Sequence, residues 1–365
     1  MKLIHCADLH LDSRMTSFLS PEQARERRGE LLQTFLRMVD YAAEQNVQAI
    51  LIAGDLFDRS RVSAAAGSTF LEAVRTHPDI VFFYVAGNHE GDGWMQAVSE
   101  MPGNLKRFDS TWRTFAAGSV SITGANLTAD NRETLFDSLV LDPAQFNIVL
   151  LHGQIAEYAS DKKAEIIDIG AFRNKHIDYL ALGHIHTYHE GTLAPRGIWC
   201  YPGCLEGRGF DECGEHGFVL LDIDTASGSF TNRFVPFAFR HLREITVDIT
   251  GCRNPSEIMR RVESVLAEER IPSPDLWKLI LTGSVDVSCE KDTVLIQKHF
   301  CDQCYHLRVE DRSRLEVDYN SYIYDRSLKG EFVRLVQGDR SLSEQEKAEV
   351  IRCGIQALTG EVVNA

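Results

Sequence analysis

Short, continuous apolar runs alternate with segments of helical periodicity along the first half of the chain. Runs of this kind, bounded by glycine and polar residues, are typical of strands that are buried on both faces of a sheet. The predicted strands span residues 2–7, 47–53, 80–86, 120–124, 146–151 and 179–182, with helices from Ser20 and over residues 64–76 between the first three. This strand–helix–strand order predicts an α/β architecture.

The first helix carries a complete start signal. Ser20 stands at the N-cap, Pro21 at the first helical position and Gln23 where a capping box requires it. Apolar residues then recur at helical spacing, at Leu32, Phe35, Leu36, Val39 and Ala43. The basic stretch at residues 25–28 is expected to be a solvated face of this helix.

The second half of the chain changes character at about residue 240. Before it, short strands at 198–201, 218–223 and 230–235 are separated by turn signals and predict a mainly β segment. After it, a strand at 242–249, a helix opened by Asn254 and a strand at 277–281 indicate a small α+β unit. Two amphipathic helices follow, near 328–336 and from Ser343. We therefore expect three parts, residues 1–240, 241–325 and 326–365.

Composition excludes several classes of protein. With 44% hydrophobic and 25% charged residues, the 365-residue chain is neither disordered nor fibrous. Its longest apolar runs are far shorter than the roughly 20 residues of a membrane span. The first residues lack the apolar stretch of a signal peptide, so we expect a cytoplasmic protein with no membrane partner. Nine cysteines at irregular spacings are then expected to be reduced thiols.

The net charge is strongly negative, because 38 Lys and Arg stand against 53 Asp and Glu, which gives −15. This balance argues against nucleic-acid binding through a general basic surface. It leaves room for metal ions, whose positive charge can act locally.

Five strands of the first part end in polar clusters. Because ligand sites in open α/β sheets lie beyond the C-terminal ends of the strands, we expect these clusters to form one site. Carboxylate, imidazole and amide ligands without a thiolate suit Mn²⁺, Fe²⁺ or Zn²⁺ better than Ca²⁺. Seven ligands exceed what one ion needs, and two ions that share Asp55 account for the number. The candidate ligands are Asp8, His10, Asp55, Asn88, His152, His184 and His186.

Each cluster alone has an ordinary explanation. Gly-Asp after a strand is often only a turn, and His184 and His186 alone fit one surface stripe of a strand. All five clusters in this order, each at the end of an apolar strand, argue against coincidence.

The order Asp-x-His, Gly-Asp-x-x-Asp, Gly-Asn-His-Glu, His-Gly and Gly-His-x-His resembles the calcineurin-like metallophosphoesterase superfamily. The blocks around Asp8, Asp55 and His184 look like its SbcD- and YhaO-like branch of DNA repair nucleases. The stretches Tyr201-Pro-Gly203 and Gly207-Arg-Gly-Phe-Asp-Glu212 look like the same branch.

This resemblance implies a fold, an activity and partners. The fold would be a two-sheet sandwich flanked by helices over residues 1–240, then a small α+β capping domain and C-terminal helices that dock on a partner. The activity would be that of a two-metal-dependent DNA nuclease, an exonuclease or endonuclease of DNA repair. Its partners would be DNA, an SMC-like ABC ATPase subunit and a second copy of the chain. Mn²⁺ is the expected ion, with Mg²⁺, Fe²⁺ or Zn²⁺ as alternatives.

The resemblance also assigns the ligands. It implies a first ion held by Asp8, His10, Asp55 and His186, and a second held by Asp55, Asn88, His152 and His184. His89 would be the catalytic histidine that faces the substrate.

Four further side chains are expected to assist the site. Asp12 and Asp58 are expected to orient ligands as neighbouring carboxylates, although Asp58 equally fits a helix cap. Glu90 stands where the family usually has Asp, so the geometry with which it orients the preceding histidine differs. Arg208 is expected to meet a substrate phosphate oxygen, with a surface salt bridge as the alternative.

Two other functions also fit the sequence. One is a phosphoesterase acting on a small nucleotide or a phosphoprotein, because the five blocks do not distinguish substrates and the acidic balance favours it. The other is a mainly architectural DNA-repair subunit, against which stands the fact that every ligand position is filled. A large domain after the catalytic part exceeds what a small substrate requires, so the nuclease is the leading interpretation.

Overall fold

The computed structural model describes residues 1–15, 18–58, 62–87, 100–155, 165–269, 274–287 and 289–359. The chain divides into two compact units, Met1–His241 and Leu242–Ala365. None of the helices within the described residues is long and apolar enough to cross a membrane.

In its described residues the first unit contains two six-stranded mixed sheets and one two-stranded parallel pair. Its strands are β1 Lys2–Cys6, β2 Ala49–Ala53, β3 Val81–Val85, β4 Leu105–Arg107, β5 Arg113–Ala117, β6 Val120–Gly124, β7 Phe146–His152, β8 Gln154–Ile155, β9 Ile166–Ile167, β10 Tyr179–Gly183, β11 His189–Thr192, β12 Ile198–Tyr201, β13 Gly217–Ile223 and β14 Phe230–Pro236. In the described chain the first sheet has the order β14-β13-β1-β2-β3-β4 and the second β11-β12-β10-β7-β6-β5. The strands β1 to β4 pair in parallel, as do β6, β7, β10 and β12. The predicted α/β fold class is confirmed.

The two sheets pack face to face as a sandwich. Leu51 and Phe83 of the first sheet share a buried core with Ile122 and Ile148 of the second. The outer face of the first sheet is covered by α1 Pro21–Glu44 and α2 Ala64–Thr76. The outer face of the second sheet is covered by a short turn of helix, Ile169–Phe172, and by irregular chain.

Burial on both faces explains why the central strands are continuous apolar runs. Every residue of β2, β7 and β10 is buried. Parallel pairing places the ends of neighbouring strands side by side, with Cys6 opposite Ile52 and Gly183 opposite His152. The C-terminal ends of β1 and β2 therefore lie at one edge of the first sheet, and those of β7 and β10 at one edge of the second.

Helix α1 begins as predicted, but its basic face is not solvated throughout. The Ser20 hydroxyl accepts a hydrogen bond from the Gln23 N–H, and the Gln23 side chain accepts one from the Ser20 N–H, so the capping box is confirmed. Arg27, expected on a solvated face, is only 1% exposed. Its guanidinium contacts Glu30 at 2.6 Å and Glu206 at 3.2 Å. Periodicity alone does not reveal this, because Glu206 is distant in sequence.

His5 lies inside β1 and makes folding stability depend on pH. Burial lowers the pKa of His5 from 6.5 to about 3, and its Nδ1 lies 2.8 Å from the Tyr179 hydroxyl. As the pH falls, the unfolded chain takes up a proton at His5 near pH 6.5, whereas the folded chain does so only near pH 3. Protonation of the unfolded chain therefore lowers the free energy of unfolding progressively between about pH 6.5 and pH 3. We expect a loss of about 2 kcal/mol in the free energy of unfolding between pH 8 and pH 5 from this residue.

The check is urea unfolding at both pH values in EDTA, with His5→Asn as the comparison. The variant should be less stable at pH 8 but lose about 2 kcal/mol less on acidification. Equal losses in both proteins would contradict the prediction.

The second unit is a small α+β assembly. Its strands are β15 Leu242–Asp248, β16 Leu276–Thr282, β17 Ser284–Asp286, β18 His306–Asp311 and β19 Arg314–Glu316, and its helices are α3 Pro255–Glu269, α4 Thr293–Phe300, α5 Tyr319–Tyr322, α6 Leu328–Gln337 and α7 Glu344–Thr359. The sheet β15-β16-β18 is parallel, as is the pair β17-β19. Ile258 of α3, Val333 of α6 and Ile351 of α7 belong to one core. The helices after residue 326, expected as a separate part, thus share their core with the α+β unit.

Candidate metal centre

The polar clusters at the strand ends meet across the sandwich. Possible ligand atoms of Asp8, His10 and His186 all lie within 4.8 Å of one another. A second group with the same property is formed by Asp8, Asp55 and His152. Both sheets therefore supply side chains to one site, and Asp8 belongs to both groups.

His184 completes the part of the site that the structure describes. Its ring packs edge-on against that of His152, with the ring centroids 5.3 Å apart. Six of the seven predicted ligands are thus gathered in one place. The seventh, Asn88, lies outside the described residues, as do His89 and Glu90.

The backbone at the site is strained. Four site residues that are not glycine have positive φ angles, Asp8 at 51°, His10 at 43°, Asp55 at 48° and His184 at 107°. Such conformations cost of order 1–3 kcal/mol each and cluster at functional sites. The loops are held by backbone hydrogen bonds, from the Asp8 N–H to the Gly54 carbonyl at 3.1 Å and from the His10 N–H to the Asp55 carbonyl at 2.9 Å. These hydrogen bonds join the loop after β1 to the loop after β2 and hold the strained conformations in place.

Two imidazoles direct Nε2 toward the same carboxylate. His152 donates from Nδ1 to the Ala53 carbonyl at 2.9 Å, so in the neutral imidazole the lone pair is on Nε2, which lies 3.6 Å from Asp55 Oδ2. His10 Nε2 lies 3.8 Å from the same oxygen. Both side chains and Asp55 are almost fully buried, at 3%, 1% and 2% exposure. Imidazole nitrogen beside buried carboxylate is a donor set that suits a divalent cation.

The spacing of these atoms fits a bound ion. Ligand bonds of about 2.0–2.2 Å allow two donors of one ion to lie up to roughly 4.4 Å apart. The 3.6 and 3.8 Å separations at Asp55 meet this condition, and so does the 3.8 Å between His186 Nε2 and Asp8 Oδ1. Asp8 is itself oriented by the His184 N–H, which donates to both of its oxygens at 3.0 and 3.1 Å.

The surroundings shift the pKa values of the two histidines after β10 in opposite directions. Burial, together with the neighbouring His152, lowers the pKa of His184, which favours the neutral, ligating form. Burial also disfavours charge on His186, but a hydrogen bond to Glu212 and the charge of Asp8 outweigh it and raise its pKa. A cation can bind His186 through Nε2 only in the form of the ring that carries no proton on that atom.

Asp58 and Asp12, two of the carboxylates expected to assist the site, form a chain of contacts that leads to His10. Asp58 Oδ1 lies 3.2 Å from His10 Nδ1, on the ring edge opposite Asp55. Asp12 accepts a hydrogen bond from the Asp58 N–H at 2.7 Å, so it holds the loop that brings Asp58 to His10.

Glu212 contacts the site although the sequence alone assigned it no role. Its Oε1 lies 2.6 Å from His186 Nδ1, and burial is outweighed by this hydrogen bond and by Arg208, so that the pKa of the carboxyl is held well below its usual range. The signal was present in the motif that ends at Glu212, but no spacing rule connects it to a histidine 26 residues earlier. Arg208, expected to meet a substrate phosphate, contacts Glu212 at 3.0 Å and Asp58 at 3.3 Å.

Two glycines leave room for ligands. A Cβ at Gly54 would lie 2.1 Å from His152 Nδ1, and a Cβ at Gly87 would lie 1.9 Å from Asp55 Oδ1. No side chain can be placed at these positions unless a ligand moves.

The family model of the calcineurin-like phosphoesterases matches residues 1–188. Among curated proteins, the chain is 28% identical over 312 residues to the uncharacterized metallophosphoesterase YhaO of Bacillus subtilis, covering 78% of this chain and 72% of that protein. It is 28% identical over 315 residues to the DNA double-strand break repair protein Mre11 of Methanopyrus kandleri, covering 75% of this chain and 66% of that protein. It spans less of the Mre11 of Methanosarcina acetivorans, 47% of that protein at 24% identity over 81% of this chain.

Among solved structures, the chain is similar to the purple acid phosphatase PPD1 from yellow lupin, Lupinus luteus. The TM-score is 0.41 at 13% identity, with 64% of this chain and 52% of that chain covered.

Proposed function

The chain belongs to the calcineurin-like phosphoesterase family, and on this premise we propose that it is a two-metal-dependent nuclease that hydrolyses phosphodiester bonds of DNA in repair. Hydrolysis of ester bonds with the help of metal ions is the chemistry of the family. The observation that carries the proposal is the convergence of two groups of ligand atoms that share the buried Asp8, beside the buried Asp55, which faces a histidine of each group. DNA is the proposed substrate because the chain resembles proteins named for double-strand break repair.

The described donors fit two divalent ions with a shared carboxylate. We assign one ion to Asp8, His10, Asp55 and His186, and the other to Asp55, Asn88, His152 and His184. Mn²⁺ is the proposed ion, because nitrogen and oxygen donors without a thiolate suit it.

Bound ions would neutralise charge on the phosphoryl oxygens and acidify the attacking water. Asp55 would set the separation of the two positions, because it faces His10 and His152 from a single buried carboxylate. Burial of these groups strengthens their electrostatic effect. His89 is the proposed general acid that protonates the leaving alkoxide oxygen, and Glu90 the residue that orients it.

The proposal also covers the regions that contact partners and the location of the protein. We propose that residues 241–325 contact DNA and that residues 326–365 dock on an SMC-like ABC ATPase, with a homodimer as the working form and the cytoplasm as its location. Whether cleavage is exonucleolytic or endonucleolytic follows from the DNA contacts.

One observation favours a second candidate. A net charge of −15 weakens attraction to a polyanion, which suits a phosphoesterase for a small nucleotide or a phosphoprotein. A mainly architectural role in DNA repair is the third candidate.

The experiment is a nuclease assay on end-labelled linear duplex and single-stranded DNA with Mn²⁺, Mg²⁺ or EDTA. We expect Mn²⁺-dependent shortening that is lost in His89→Ala, the control for a contaminating nuclease. The ladder from each labelled end gives the polarity. Intact DNA together with turnover of a chromogenic phosphodiester would replace the nuclease by the second candidate. Specific DNA or ATPase binding without either hydrolysis would favour the third.

Gly87→Ala is expected to impair the site without removing any ligand. The added Cβ would meet Asp55 Oδ1 at 1.9 Å and the Asp55 N at 2.5 Å, so Asp55 must move. A displacement of about 1 Å costs roughly 100-fold in rate, and we expect at least that loss in kcat/KM on a chromogenic phosphodiester. Gly103→Ala is the matched control, because a Cβ there meets nothing within 4 Å. Full activity of Gly87→Ala would show that Asp55 is not held as described.

A further inference from the structure

Two carboxylates outside the ligand set contact the Nδ1 edges of two ligand histidines. Asp58 lies 3.2 Å from His10, and Glu212 lies 2.6 Å from His186. In both imidazoles Nε2 then faces a carboxylate of the proposed metal centre at 3.8 Å. The hydrogen bond to Glu212 can fix the tautomer and ring orientation of His186, and the charge of Asp58 can orient the ring of His10.

One arginine joins these two carboxylates. Arg208 Nη1 lies 3.3 Å from Asp58 Oδ1, and Nη2 lies 3.0 Å from Glu212 Oε1. The Arg208 N–H also donates to Glu212 Oε2 at 2.7 Å. Asp58, Arg208 and Glu212, here called the orienting group, thus form one connected set of charges.

Two further hydrogen bonds fix the chain segment that carries Arg208 and Glu212. Glu212 is 6% exposed, and its backbone carbonyl accepts from His216 at 2.7 Å. The neighbouring Gly207 carbonyl accepts from the buried Arg27 at 2.9 Å. A preorganised loop loses little entropy when it orients a ligand.

The candidate ligand His152 also has a defined partner at Nδ1, but this partner is uncharged. His152 donates to a neutral backbone carbonyl, that of Ala53. A charged acceptor raises the basicity of a ligating imidazole more than a neutral one does. Both histidines that contact the orienting group belong to the position assigned to Asp8, His10, Asp55 and His186.

We infer that Arg208 and Glu212 are positioning residues for this one cation position, and that they act on its two histidines together. The inference rests on the proposed two-ion function. It gives Arg208 a role other than contact with a substrate phosphate. Loss of such partners typically lowers metal affinity 10–100-fold, and here the loss is confined to one of two ions.

The test is calorimetric titration of the metal-free protein with Mn²⁺. Wild type is expected to bind two ions. In Glu212→Gln one ion should bind about 10–100-fold more weakly and the other within about twofold of wild type. Asp211→Asn is the matched control, because it removes the same charge from the adjacent, exposed residue and should leave both affinities unchanged.

A second variant covers the case in which Glu212→Gln fails to fold, as judged by circular dichroism without metal. Arg208→Gln should weaken the same single ion, and saturating Mn²⁺ should restore kcat on a chromogenic phosphodiester. Unchanged Mn²⁺ binding in the folded variants overturns the inference. A raised KM for DNA with unchanged Mn²⁺ binding in Arg208→Gln identifies a phosphate contact instead. Absence of Mn²⁺ binding by wild type would refute the proposed function itself.

Discussion

Asp55→Asn is expected to lower kcat/KM for phosphodiester hydrolysis by at least about 10³-fold, roughly 4 kcal/mol of transition-state stabilisation. Asp55 Oδ2 faces His152 Nε2 at 3.6 Å and His10 Nε2 at 3.8 Å, so one carboxylate serves both proposed cation positions. Asn has nearly the same volume and tolerates the φ of 48° at this residue, so the fold should persist.

The variant should also lose stabilisation by metal. Wild type at an Mn²⁺ concentration of about 100 times Kd gains about 2.7 kcal/mol from a single site, whereas Asp55→Asn should gain markedly less. Thermal unfolding with and without Mn²⁺ measures this difference, and Asp130→Asn on the exposed surface is the control. Hydrolysis by Asp55→Asn within tenfold of wild type would contradict the assignment of a shared ligand.

Arg27→Met is expected to lower the free energy of unfolding by about 3–5 kcal/mol. Arg27 neutralises Glu30 and Glu206, which are 5% and 2% exposed, and it donates to the Gly207 carbonyl. Methionine fills a similar volume but removes the guanidinium, so the buried carboxylate of Glu206 loses its contact with a cation. Arg240, which contacts Glu30 at 2.7 Å, compensates only one of the two acids.

Urea unfolding at neutral pH measures the effect, with Arg25→Met as the matched control on the same helix. Arg25 is exposed, and its substitution should change stability by less than about 0.5 kcal/mol. Equal effects of the two substitutions would mean that the buried ion pairs contribute no more than a solvated charge.

Much of the fold follows from local pattern. The buried strands are recognisable because they are covered on both faces and are therefore apolar throughout, and α2 spans Ala64–Thr76 as its periodicity predicts. The shorter strand β4 and the helix α4 carry too little periodicity to be predicted. The shared core of α3, α6 and α7 was also missed, because it depends on contacts between segments that are distant in sequence.

In the candidate site, too, some contacts follow from local sequence pattern and others depend on tertiary packing. The proximity of Asp8 and Asp55 is predictable from the sequence, because the parallel strands β1 and β2 bring their ends to one edge of a sheet, whereas His152 reaches them from the second sheet. Glu212 in the site and Arg27 outside it are not found, because their partners are set by tertiary packing and their residue types are common on surfaces. The buried Arg27 is the clearest case, since a charged residue within a basic stretch of a helix ordinarily faces solvent.

We propose that Asp55 is shared by two divalent ions at the strand ends, and anomalous diffraction from Mn²⁺-loaded crystals would locate both ions. Two anomalous peaks are expected to flank the Asp55 carboxylate, one beside His10 and His186 and the other beside His152 and His184. A single peak, or peaks remote from Asp55, would contradict the proposal.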